Sequence, residues 1–260
     1  MFINNRAFRE ILKCFKVHLL VDYFLRLFPR RGEFGVYRYQ VASLEAWLVE
    51  KEIFKSGIYD GVFNLHGVKT FADLGCNRGF FSLWIAEMSG VRLKGILVEA
   101  NPALIPQVKN LLQNNNLDGM IIFNGAAGAG MDGGEVEILV PPTDVGAGLK
   151  KTIEKSLTGD KCDLVRVAAV RVGDLWRGKF SAGERCEILK IDIEGAELAF
   201  LKDEKDFLGL VDRVVVEVHE AVVSLQEIRT ELLKSGFIIR KEAKEDSETV
   251  LVFAQREFAE

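Results

Sequence analysis

The sequence predicts an open α/β domain on a mostly parallel sheet, preceded by a helical extension and interrupted by a β-rich insertion. Three observations carry that prediction. From Lys69 onward, short apolar runs end in glycine-rich or polar turns and pass into helical patterns, as βα units do. Near the C-terminal end, two β-like runs, Phe237 to Arg240 and Thr249 to Ala254, flank the charged segment Lys241 to Glu248 and fit an antiparallel hairpin. The composition, 48% hydrophobic and 28% charged over 260 residues with five prolines, supports one substantial core and excludes a disordered chain.

Taken in order, Phe8, Leu12, Phe15, Leu19, Tyr23 and Leu27 recur at helical spacing, with Arg9, Lys13, Lys16 and Arg26 mainly on other faces. Pro29 and Gly32 close this amphipathic helix, and Val41 to Tyr59 reads as a second helical region. Residues 1–60 are therefore expected to form a helical extension and 61–260 the main domain. Parallel strands are expected at Thr70 to Leu74, Gly95 to Glu99, Met120 to Asn124, Ile188 to Ile193 and Arg213 to Val218. Helices are expected at Phe80 to Met88, Pro102 to Asn115, Ala196 to Phe207 and Leu225 to Lys234. The insertion, 128–185, falls between the third and fourth parallel strands, with strand candidates Glu135 to Val140 and Leu164 to Val172.

The formal net charge of −4 does not advertise a nucleic-acid partner, but it hides an asymmetry. Residues 1 to 40 carry eight Lys/Arg against three Asp/Glu, so the rest of the chain is acidic. Cys14, Cys76, Cys162 and Cys186 lie far apart without metal-ligand spacing and fit free thiols in a reducing cytoplasm. Only three histidines are present, so a His-rich metal site is not expected. Asp22 and Arg26 interrupt the best apolar stretch, Val17 to Phe28, which argues against a membrane span and against a signal peptide.

The chemistry concentrates at strand ends. In F-A-D-L-G-C-N-R-G-F-F, residues 71 to 81, an apolar strand containing Asp73 turns through Gly75 and Gly79 into a helix. Glycines there permit tight curvature and close ligand approach, and the helix start offers free N–H donors. The G-x-x-x-G spacing does not match the G-x-G-x-x-G dinucleotide fingerprint. The next strand ends in V-E-A-N-P, where the Glu99 carboxylate can accept hydrogen bonds from both hydroxyls of a ribose. In L-K-I-D-I-E-G-A-E, residues 189 to 197, alternation puts Lys190, Asp192 and Glu194 on one face. That is anomalous for a buried parallel strand, and V-V-V-E-V-H-E repeats the pattern with Glu217 and His219. Two readings stay open for these groups, a satisfied buried ion-pair network or a site at the strand ends.

These segments, with F-N-G-A-A at 123 to 127, resemble the FkbM-type methyltransferases that use S-adenosylmethionine, over about Lys69 to Phe253. The resemblance implies a Rossmann-like, seven-stranded class I methyltransferase sheet with its terminal strands antiparallel. It also implies methyl transfer to a hydroxyl oxygen, commonly on a sugar, glycolipid or secondary metabolite. Where the family often has proline after the ribose-binding acid, this chain has Ala100.

On that reading Asp73, Gly75, Cys76, Asn77 and Gly79 hold the methionine portion of S-adenosylmethionine, Glu99 takes the ribose, and Asn101, Asn124 and Ala126 flank adenine. Asp192, Glu194 and His219 are the candidate catalytic residues. His219, with an ordinary pKa near neutrality, or Asp192, nearer the expected methyl position, would take the hydroxyl proton. No metal is expected, because Lys190 on the same face would repel one. The partner is a small-molecule or glycan hydroxyl, and the insertion is expected beside the acceptor pocket; the alternatives are a nucleic-acid methyltransferase, disfavoured by the acidic site, and a non-catalytic nucleotide-binding module. For the basic front of the chain two roles stay open: packing on the domain, or peripheral attachment of a cytoplasmic enzyme to an anionic membrane through Phe15, Leu19, Arg30 and Arg31.

Overall fold

A computed structural model describes residues 17–130, 134–141, 148–149 and 162–257. Phe8, Leu12 and Phe15 of the expected N-terminal helix, and Cys14, lie outside the described residues. So does much of the insertion's centre.

Seven strands form the central sheet: β3 (Thr70–Leu74), β4 (Lys94–Glu99), β5 (Met120–Asn124), β9 (Cys186–Ile191), β10 (Val211–His219), β11 (Ile238–Lys244) and β12 (Thr249–Gln255). Their order is β11-β12-β10-β9-β3-β4-β5. The five strands from β5 to β10 run parallel, and β12 lies antiparallel between β10 and β11. The hairpin inferred from Phe237 to Ala254 is present, and the sheet reverses its strand order between β3 and β9, the crevice where open α/β sheets bind ligands.

Strand periodicity divides the core into two layers. Ala72, Leu74, Ile96, Val98, Leu189, Ile191, Val214 and Val216 face α5 (Val172–Lys179), α6 (Glu197–Asp203), α7 (Lys205–Leu208) and α8 (Leu225–Lys234). Phe71, Leu97, Ile188, Val215, Leu251 and Phe253 face α2 (Leu44–Lys55), α3 (Phe80–Ser89) and α4 (Ile105–Asn114). Tyr39, Val41, Ala46, Ile53 and Tyr59 belong to this second layer, so the N-terminal region shares a core with the sheet.

Four elements differ from the sequence expectation. Between α1 (Val17–Leu27) and α2, where the sequence shows only Pro29 and Gly32 as breakers, the chain forms a hairpin of β1 (Arg30–Phe34) and β2 (Tyr37–Val41). Its alternation is masked by arginines on the exposed side. The insertion strand expected over Leu164 to Val172 is β8 (Asp163–Ala168), paired with β6 (Glu135–Val140), which also pairs with β7 (Gly148–Leu149). The chain then turns into α5 at Val172, because Glu204 accepts the free N–H groups of Val172 and Gly173 at 2.7 and 3.2 Å. The expected helix Ala196 to Phe207 is divided at Glu204 into α6 and α7. The fourth parallel strand ends at Ile191, not Ile193, and Glu194 and Gly195 adopt φ of 52° and 92°.

Candidate functional site at the sheet's switch point

Asp73 lies inside β3, fully buried on the α3 side of the sheet. Neither carboxyl oxygen has a hydrogen-bond partner, and the nearest cation, Lys190 Nζ, is 3.8 Å from Oδ1. Burial pushes this carboxyl up to about 6 against the pull of Lys190. A buried acid without a hydrogen-bond partner fits a cationic ligand arriving from outside.

The chain leaves β3 through Gly75, whose φ is +72° and whose N–H donates to Val98 O at 2.9 Å. A Cβ there would stand 1.7 Å from the carbonyl oxygen of Asp192, so only glycine lets β3 pass the end of β9 this closely. Asn77, with φ of 50°, completes the turn, and Gly79 caps α3 with φ of 75°. Cys76 is buried and its thiol is pushed well above the usual range by that burial, so it is not a nucleophile at neutral pH.

Glu99 ends β4 and binds this turn directly. The N–H of Asn77 donates to Oε2 at 2.8 Å and the N–H of Asn101 to Oε1 at 2.7 Å. Burial raises its pKa to about 7 even though both N–H groups favour the anion. Each oxygen keeps a second lone pair, enough for a diol.

The three residues assigned to adenine have other engagements. Asn101 is buried, and its Oδ1 accepts the N–H of Ala103 at 3.0 Å. The Asn124 amide donates to the carbonyls of Glu99 and Ala100 at 2.9 and 3.1 Å, tying β5 to β4. Ala126 is buried in a bridge to Ala169. The Asn101 Nδ2 stays buried without a hydrogen-bond partner.

The second half of the site lies at the ends of β9 and β10. Lys190 Nζ is 2.8 Å from Asp192 Oδ2. Burial alone would lower the lysine's proton affinity, but Asp192, Asp73 and Glu217 together raise it above its ordinary value. His219 ends β10 with Nδ1 2.9 Å from Oε1 of Glu197, a carboxylate with no solvent exposure. Its Nε2 faces Glu194 Oε2 at 3.4 Å, Asp192 Oδ1 at 3.9 Å and Glu217 Oε1 at 3.9 Å. Burial disfavours the imidazolium, yet Glu194, Glu197 and Glu217 outweigh it and hold the pKa well above 6.5. The acids around the ring therefore favour its protonated form, a shift upward from the ordinary imidazole value on which the sequence reading rested.

Glu197 was not singled out by sequence reasoning, although it sits in the same L-K-I-D-I-E-G-A-E run. An acid in a helix's first turn reads as a partner of the helix dipole, and only the fold turns it toward His219. Glu245, raised to about 8 by burial and by Glu52 and Asp192, and Glu52 itself join Glu217 from β11's end and α2, with no local signal. Asp192, Glu194 and His219 offer donor atoms within 4.8 Å of one another, as do Glu52, Glu217 and Glu245. Either trio has the donor types a divalent cation accepts.

A family model described as "Methyltransferase FkbM domain" matches residues 73–239, from the buried aspartate to the penultimate strand. The chain belongs to this family. The methyltransferase is 29% identical over 231 residues to methyltransferase sdnD of Sordaria araneosa, covering 80% of this chain and 88% of that one. It is 24% identical over 242 residues to methyltransferase 1 of Beauveria bassiana (strain ARSEF 2860), covering 86% and 95%. Among solved structures, the Methanococcus jannaschii fibrillarin pre-rRNA processing protein superposes with a TM-score of 0.51 at 11% identity, covering 89% of this chain and 84% of that one. That likeness is of fold alone. The FkbM methyltransferase of Methylobacillus flagellatus KT gives 0.49 at 17% identity, covering 77% and 46%.

Proposed function

We propose that this methyltransferase moves the methyl group of S-adenosylmethionine to a hydroxyl oxygen of a small molecule or glycan. The observation that carries the reading is the pairing of two buried carboxyls across one glycine turn, Asp73 without a hydrogen-bond partner and Glu99 fixed by two N–H groups. The residues fit the cofactor. Asp73 meets a cationic amino group, Glu99 accepts the ribose hydroxyls, and the Gly75 to Gly79 backbone lets the ligand lie close. When bound, S-adenosylmethionine supplies an electrophilic methyl on a sulfonium that is already an excellent leaving group.

The protein's part is alignment and one proton. Holding acceptor and donor in line can be worth roughly 7–11 kcal/mol. Asp192, between Lys190 and His219, receives the hydroxyl proton, while Lys190 offsets the charge of the surrounding acids. Glu197 orients His219. The convergence of Asp192, Glu194, Glu217 and Glu245 is a poor match to phosphate, which supports an uncharged hydroxyl acceptor over nucleic acid.

Labelled-methyl transfer to fractionated glycans and small metabolites, with mass spectrometry locating the methyl, tests the reading. Asp192→Asn is expected to lower turnover at least ~100-fold and His219→Ala to lower it less, with S-adenosylmethionine affinity measured separately by calorimetry. Unchanged turnover in both variants removes Asp192 and His219 from the chemistry. Activity that survives exhaustive chelation leaves proton removal to side chains; loss restored by magnesium assigns the Asp192–Glu194–His219 trio to a cation.

A further inference from the structure

A helix packed on a domain normally hides its apolar stripe and shows its polar one. Helix α1 packs through Val21, Asp22 and Leu25 and leaves most of its large apolar side chains outside. Leu20, Tyr23, Phe24 and Leu27 fall within an arc of about 100° and are 61%, 59%, 58% and 53% exposed; Phe28, just beyond, is 72% exposed. Val21, Asp22 and Leu25 take the half-buried side, where Asp22 Oδ1 accepts the N–H of Leu44 at 3.1 Å and so fixes α1 to the start of α2. The outward direction of the stripe is thus held by a specific contact.

We propose that this stripe is a docking surface for an anionic phospholipid membrane, on which α1 lies in the plane of the headgroups. Three features of the surface favour lipid. The five side chains present on the order of 600 Å² of apolar area, at the top of the range for the largest patch on an ordinary monomer. Exposed Arg31 borders it, with exposed Arg26 and Arg30 that are ion-paired to Asp22 and Glu50, in a segment whose first 40 residues hold eight Lys/Arg against three Asp/Glu. Among the described residues no helix is long and apolar enough to cross a membrane. Tyr23 adds an amphipathic ring suited to the interface.

Two other occupants fit less well. A second copy would have to bring one basic surface against another, over an area below the ~800 Å² per partner of a stable dimer. The chain's own residues 1–16 carry Arg6, Arg9, Lys13 and Lys16, which would be repelled by the arginines already bordering the stripe. An anionic bilayer attracts all of these charges at once. Helix α1 is bound to α2, and α2 carries Glu52 into the Glu217–Glu245 group, so the docking face and the site belong to one packed unit.

The experiment is co-sedimentation of the full chain with phosphatidylcholine vesicles, alone or with about 30% phosphatidylserine, together with the double variant Phe24→Ser/Leu27→Ser. Binding is expected to the anionic vesicles, at least tenfold weaker on phosphatidylcholine alone or in about 0.5 M salt, and at least tenfold weaker in the variant. Both positions are exposed, so the variant's circular dichroism and thermal midpoint should match the parent. Its S-adenosylmethionine affinity should match too, which separates failure of membrane docking from failure of the proposed activity. Equal vesicle binding by parent and variant overturns the proposal. So does a parent dimer, seen by light scattering, that the variant breaks, since the stripe is then a contact between copies. A monomeric parent that ignores anionic vesicles overturns it as well and assigns the stripe to residues 1–16.

Discussion

Asp73 and Glu99 show how a single side chain is tuned by what the fold withholds from it. Asp73 has burial without hydrogen bonds; Glu99 has burial with two. A hydrogen bond to a charged group is worth roughly 1.5–3 kcal/mol, or 10- to 150-fold in affinity. Asp73→Asn is therefore expected to weaken S-adenosylmethionine binding by that factor in calorimetry while leaving the fold intact. The same substitution in Glu99, Glu99→Gln, should weaken binding and also loosen the Asn77 turn, seen as faster hydrogen exchange at Asn77. Equal affinity of wild type and Asp73→Asn would remove Asp73 from the cofactor site.

At the scale of elements, close approach between strands is the controlling constraint. Gly75 and Gly61 share nearly the same φ, 72° and 70°, but a Cβ at Gly61 meets nothing within 4 Å whereas at Gly75 it meets the Asp192 carbonyl at 1.7 Å. Gly61→Ala should cost only the ~1–2 kcal/mol of the left-handed conformation, and Gly75→Ala more than about 4 kcal/mol, both read from urea denaturation midpoints. Comparable losses at the two positions would refute the steric account. Glu204 acts across elements, since it caps α5 from 31 residues further along the chain. Glu204→Ala leaves two buried N–H groups without acceptors and should cost about 1–3 kcal/mol, lowering Tm by several degrees; an unchanged Tm would show that water replaces the carboxylate. The βα rhythm and the terminal hairpin were legible because strand burial imposes an alternation that survives in the residues themselves. The β1–β2 hairpin and the turn into α5 were not, because one is masked by surface arginines and the other depends on a distant carboxylate.

Across the whole molecule, the buried acids at the site make stability fall with rising pH. Glu50, where burial is outweighed by Arg30 and Tyr39, and Glu231, held down by Lys234, are shifted the other way. Asp73, Glu99 and Glu245 titrate at about 6, 7 and 8 in the folded chain against ordinary values of 3.8, 4.5 and 4.5. Between those limits the folded state holds protons that the unfolded chain has released, so stability falls as pH rises from about 4 to about 8. His219, also raised, adds stability that is full below its ordinary 6.5 and is lost as pH climbs through its folded value. Without cofactor, the urea midpoint should therefore be higher at pH 5 than at pH 8. Asp73→Asn should recover on the order of 2–3 kcal/mol at pH 8. A profile that is flat, or that rises with pH, would mean these carboxyls are solvated.

The sequence by itself determined the alternation of strand and helix, the glycine turn after Asp73, and the unusual polar face of the fourth and fifth parallel strands. Each of these is written in residues within one or two turns of one another, where backbone sterics and side-chain periodicity act. Only the tertiary structure decided which acid faces which cation, that Glu197 holds His219, that Glu52 and Glu245 join Glu217, and that α1 turns its apolar stripe outward. Those outcomes rest on burial and on charge pairing between segments far apart in the chain. Both are set by packing, so no local pattern encodes them.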